Sequence, residues 1–173
     1  MVGGEGVGMT HLRGIACAAV LGLLATTAWA QTPAASEQTT VCQFADGSQL
    51  SLRYEEVPSR GNDLPGHVWS PGDSPMYLFT SSALKVGDTV IPAGAYSLYV
   101  TAEKQHWTLV VNKDVTSKKY DAAQDLARLP MDRGTIDDPA KDVNLAFGHI
   151  APKQCSLRLY YGKIGAWAVF AQP

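Results

Sequence analysis

Charge is scarce in this sequence. Of 173 residues only 17 % are Asp, Glu, Lys or Arg, with 14 basic against 16 acidic and a formal net charge of −2. No run of like charge forms a tail and no basic cluster builds, which excludes the electrostatic footprint of a nucleic-acid binder. Metal-ligand spacing is missing as well. The three cysteines and four histidines contain no C-x-x-C and no H-x-x-x-H pair, the close spacing that a structural zinc site needs. His67, His106 and His149 would have to converge from distant segments, with Asp73 or Asp114 as a fourth ligand. Scattered surface histidines, and no metal, are the expectation.

Other chemistries are absent in the same way. There is no G-x-S-x-G, no phosphate-binding glycine loop opening a helix and no dinucleotide fingerprint, so no nucleotide cofactor is expected. Glu55 and Glu56 are adjacent on a predicted strand and point to opposite faces, which argues against a matched carboxylate pair. Ser70, Ser74, Ser81 and Ser82 stand in Gly/Pro/Ser-rich chain, where serine serves turns. Repeats and heptads are lacking too.

What is present begins with the leader. Residues 14–30, GIACAAVLGLLATTAWA, are apolar and uncharged, follow His11 and Arg13, and close on Ala28-Trp29-Ala30. That order matches a secretory signal peptide over residues 1–30. The competing reading is a membrane anchor, for which the run is short against the ~20 residues a span needs. Cys17 lies too early in the run for a lipidated cysteine. Cleavage after Ala30 leaves Cys42 and Cys155, an even pair in an exported chain and therefore a predicted disulfide. The expected location is periplasmic or extracellular, with no membrane span after cleavage.

Residues 31–40 are small and polar and read as a flexible leader. From 41 to 173 the chain reads as one β-sandwich domain. VCQF and QLSLRY alternate with period two around Asp46-Gly47, the mark of a hairpin with one buried side. VGDTVIPAGAYSLYV, residues 86–100, holds a turn at Gly87-Asp88, a bend at Pro92–Gly94 and a strand carrying Tyr96, Leu98 and Val100 on one face. Trp107, Leu109 and Val111 alternate again, as do Cys155, Leu157, Leu159 and Tyr161. Residues 117–131 suit either a short helix near 120–128 or an edge strand, and 137–142 reads as a loop. Many short strands with frequent turn signals predict an all-β antiparallel sandwich in preference to a barrel.

Candidate binding residues concentrate in residues 58–75, PSRGNDLPGHVWSPGDSP, a long stretch with four prolines and three glycines. Long loops of this kind are functional or mobile. Trp69 must either plug the end of the sandwich or face a ligand, and His67 and Asp73 flank it. Tyr99, Tyr160 and Trp167 are placed on outward strand faces, where exported sandwiches stack sugars; Trp107 and Trp167 also fit a core. The candidate ligand residues are His67, Trp69, Asp73 and Tyr99, with no catalytic residue and no metal ligand. The leading expectation is a non-enzymatic exported binding or accessory module, with a carbohydrate or another exported protein as partner. A carbohydrate-binding module is the first alternative and a hydrolase with its site at 58–75 the second.

Four segments carry a family resemblance: GHVWSPGDSPMYLFT (66–80), LKVGDTVIPAGAYSLYV (84–100), WTLVVNK (107–113) and YDAAQDLARLPM (120–131). Their order and spacing resemble the exported bacterial family called domain of unknown function 2911. The resemblance implies fold and location, an exported β-sandwich, and does not indicate a reaction. After its Trp the family pattern carries an Arg, a Gly and an Asn-Glu-like pair; here those places read Ser70, Gly72, Ser74 and Pro75. That departure implies loss of charged members from the loop, and fits altered binding or a scaffold role better than shared catalysis.

Overall fold

The computed structural model describes residues 1, 3–4, 35–60, 66–103 and 106–173. The expected signal peptide and the first part of the leader lie outside the described residues. The chain divides at Thr32 into two units, and the second, Pro33–Pro173, holds all the strands of the described residues.

The described residues form ten strands and no α-helix. In chain order these are β1 (Ser36–Gln43), β2 (Gln49–Glu56), β3 (Val68–Trp69), β4 (Met76–Thr80), β5 (Leu84–Val86), β6 (Thr89–Ile91), β7 (Gly94–Ala102), β8 (Trp107–Asn112), β9 (Asp125–Ala151) and β10 (Gln154–Ala171). All pair antiparallel in one sheet of order β1-β2-β4-β7-β8-β9-β10-β5-β6, with β3 beside β7. The sandwich is therefore one folded sheet. β9 pairs β8 through Asp125–Met131 and then β10 from Asp132 to Ala151, so this single strand passes from one layer to the other.

The period-two pattern decides which faces are buried. Leu50, Leu52 and Tyr54 of β2, Leu98 and Val100 of β7, and Leu157, Leu159 and Tyr161 of β10 meet in one core with Trp107 and Phe170. Burial of large side chains at about 25 cal/mol per Å² of apolar surface is the main term holding the layers together. The predicted disulfide is present: Cys42 of β1 and Cys155 of β10 are bonded, with Cα atoms 6.3 Å apart.

Three boundaries differ from the sequence-based expectation. β1 starts at Ser36, inside the predicted leader, because Thr39, Thr40 and Val41 extend the alternation against Arg53, Leu52 and Ser51. The ambiguous 117–131 segment holds only a 3-10 turn at Ala122–Gln124, capped by the Asp121 carboxylate, which accepts from Ala123 N–H at 2.9 Å. Strand follows at once: Ala127, Leu129 and Met131 alternate into the core, and Pro130 would interrupt a helix. The expected loop at 137–142 is instead an irregular stretch of β9. There β9 parts from β10, with Thr135 opposite Ile164 but Ala140 already opposite Gly162. The freed backbone pairs with the end of β2: Val143 N–H donates to Val57 O at 2.7 Å and Ser59 N–H to Lys141 O at 2.8 Å. This diversion builds one wall of a cleft.

Candidate functional site

β3 and β4 lie along the same edge of β7, β3 opposite Val100 and Thr101 and β4 opposite Gly94–Leu98. Between them Ser70–Pro75 leaves the sheet as a short excursion. Two consecutive residues in it have left-handed backbone, Gly72 at φ 69° and Asp73 at φ 54°. Gly72 is favoured by its φ, and a Cβ there would also push the flexible Glu55 carboxylate of β2 aside. Asp73 is the only non-glycine residue with positive φ among the described residues. Backbone of this kind persists where the surrounding fold imposes it, and it concentrates at ligand sites.

The excursion forms one side of a cleft of about 680 Å³. The other side is the diverted pairing of Val57–Arg60 with β9, and Tyr161 of β10 forms part of the floor. His67, Trp69 and Asp73 all line it, so three of the four residues singled out from the sequence share one site. Trp69 is half-buried and meets Tyr161 edge-to-face, with ring centroids 5.7 Å apart and planes at 84°. Tyr161 in turn meets Trp107 at 6.4 Å. Trp69 packs against the core through Tyr161 and also lines the cleft.

Three charged or titratable side chains of this cleft take no part in holding the fold. Among the described residues, Arg60, His67 and Asp73 make no side-chain hydrogen bond or ion pair, and the Ser59 hydroxyl is buried without a partner. The contrast is with the other aspartates of the turns. Asp46 accepts from Ser48 N–H and hydroxyl at 2.9 and 2.7 Å, and Asp114 accepts from Thr116 N–H and hydroxyl at 2.8 and 2.7 Å. The Ser48 and Thr116 bonds are the main reason both carboxyls are held below their ordinary values.

Tyr99 lies elsewhere. It faces outward from β7 but is buried, because residues 113–121 cross that face and lay Tyr120 against it at 5.0 Å. The Ser97 hydroxyl fastens this cover by donating to Asp114 O at 2.7 Å. The Tyr120 hydroxyl donates to Asp125 at 2.7 Å and accepts from Arg128. Tyr99 is therefore a packing residue and not an exposed stacking platform. His106 and His149 are exposed and stand outside the cleft, and among the described residues no three His, Cys, Asp or Glu side chains gather as a metal group. Arg60, Ser59, Val143 and Tyr161 were not singled out from the sequence. Tyr161 carries the alternating signal of a core residue, and Val143 reaches the site only because β9 leaves β10.

An all-β chain with a cleft at the end of one folded sheet is the class this geometry defines. Residues 36–168 match the family described as Protein of unknown function (DUF2911), and the chain belongs to that family. No curated protein and no solved structure matches the chain.

Proposed function

We propose that this protein is an exported, non-enzymatic binding module whose ligand is a saccharide held in the Trp69 cleft. One observation carries the reading. Arg60, His67 and Asp73 converge with two aromatic rings on one concavity, and none of the three is used by the fold. A saccharide offers hydroxyls to charged planar groups and an apolar face to aromatic rings, which is the mixture this cleft presents. Export is supported by the leader sequence and by the disulfide, which persists in oxidising compartments. The non-enzymatic reading rests on the sequence, which carries no G-x-S-x-G, no matched carboxylate pair and no close metal-ligand spacing.

A glycan array probed with the full chain, followed by tryptophan-fluorescence titration with the array hits, tests the proposal. Binding should fall at least tenfold in Trp69→Ala and in Asp73→Asn. No array signal, with no shift of tryptophan emission at millimolar saccharide, would remove the carbohydrate reading.

A further inference from the structure

β9 and β10 carry a second concavity, on the face turned away from the core. Along β10 the inward residues are Cys155, Leu157, Leu159 and Tyr161, then Ala166, Ala168 and Phe170. The inward set changes from odd to even numbers because the ladder is irregular between Tyr160 and Ile164. A one-residue shift of this kind exchanges the two faces. Its consequence on the outside is that Arg158 and Tyr160 from one arm, and Trp167 and Val169 from the other, line one groove of about 480 Å³ with Ile136 and Ile150.

The groove has two properties that the fold does not account for. Apolar side chains stay in water there: Trp167 and Val169 are each 37 % exposed and Ile150 is 45 % exposed. A tryptophan laid over a glycine of the next strand restores packing that the glycine lacks, and Trp167 lies in this way on Gly134. That explains one face of the indole and leaves the Ile150 and Val169 exposure unexplained. The second property is the charge. Arg158 is the only charged residue lining the groove, and among the described residues its side chain makes no hydrogen bond and no ion pair. Its guanidinium lies beside Gly148, where a Cβ would stand in ordinary contact 3.5 Å from Cζ.

An apolar, aromatic concavity with one unpaired guanidinium and no acidic lining is complementary to a small monoanion with an apolar body. We propose that the outer groove of β9–β10 binds an amphipathic carboxylate, its acid group on Arg158 and its apolar body against Trp167, Tyr160 and Ile150. This site is separate from the Trp69 cleft and does not depend on the saccharide reading. The guanidinium offers paired N–H donors that match a carboxylate.

The test uses 2-naphthoate as probe and its uncharged isostere 2-naphthamide as control. The full disulfide-bonded chain is titrated while the indole N–H resonances are followed by NMR, that of Trp167 being assigned from its loss in Trp167→Phe. Saturable movement of the Trp167 resonance with naphthoate is expected, with naphthamide binding at least tenfold more weakly. Arg158→Gln should abolish that difference while leaving the melting temperature unchanged, since Arg158 holds nothing in the fold. An unmoved Trp167 resonance, equal binding of acid and amide, or discrimination that survives Arg158→Gln would each overturn the proposal. Movement confined to the Trp69 resonance would also overturn it, by transferring the probe to the other cleft.

Discussion

At Asp73 a backbone that L-residues rarely adopt coincides with a carboxylate that no group of the fold uses. Left-handed backbone costs an ordinary residue about 1–2 kcal/mol, somewhat less for Asp, and costs glycine nothing sterically. Asp73→Ala should therefore be about 1 kcal/mol less stable than Asp73→Gly in urea unfolding, although both remove the same carboxylate. Both should weaken saccharide binding alike. If alanine and glycine are equally stable, residue 73 is not held in the left-handed region. Gly72 offers a sharper case, because positive φ and the collision with Glu55 act together. Gly72→Ala should lower stability by about 1–3 kcal/mol, and Gly72→Ala with Glu55→Ala should recover only the part due to the collision. An unchanged urea midpoint in the single variant would contradict the left-handed backbone at residue 72.

At the scale of elements, legibility followed period and turn chemistry. The β1–β2 hairpin, the β5–β6 turn at Gly87 and the strands around Leu98, Leu109 and Leu157 were readable because alternation and turn residues coincide there. His67, Trp69 and Asp73 were readable as a cluster because they are close in sequence. Arg60, Val143 and Tyr161 were not, since their meeting depends on β9 exchanging β10 for the end of β2, a pairing that local pattern does not encode. The cover at 113–121 was hidden for the same reason, and Tyr99 was misjudged with it: a residue can face outward and still be buried by a distant loop. That cover has a titratable latch. Burial, and then the hydrogen bond to Asp125, raise the Tyr120 hydroxyl from 10.0 to about 12. A value raised in the folded state gives a contribution that is whole below about pH 10 and is lost as pH rises towards about 12. Alkaline destabilisation should begin in that window and be weaker in Tyr120→Phe, with near-ultraviolet absorbance following the phenolate. Identical alkaline profiles for the two proteins would show that the latch carries no part of the stability.

Across the whole molecule, a single sheet folded through β9 leaves β1 as an end strand that must be fastened to the other layer. Hydrogen bonds tie β1 and the turn that follows it at three places. Phe147 N–H donates to the Thr40 hydroxyl at 2.9 Å, and Ala45 N–H donates to Pro152 O at 2.9 Å. Gln172 Nε2 donates to Asp46 Oδ2 at 2.7 Å and to the Ser48 hydroxyl at 2.8 Å, so the last strand's end is bound to the first turn. Each such hydrogen bond contributes about 0.5–1.5 kcal/mol net, somewhat more where the acceptor is charged. The Cys42–Cys155 bridge is a stronger tie, because it closes 113 positions of chain. In the chain-entropy account a loop of that length stabilises by roughly 4–5 kcal/mol, before any native strain is subtracted. Against a total of about 5–15 kcal/mol for a domain, that is roughly a quarter or more of the stability. Reducing agent should therefore lower the melting temperature of the wild type by many degrees. The double variant Cys42→Ala/Cys155→Ala should melt near the reduced wild type and be indifferent to reductant, which separates the bridge from any other effect of thiol. Cys42→Ala alone should match the double variant within the cost of one small buried side chain. Labelling of the unreduced protein in denaturant should find neither Cys42 nor Cys155 reactive. Two reactive thiols at these positions, or a reduced protein as stable as the oxidised one, would mean that hydrogen bonds and core burial alone hold β1 to β10.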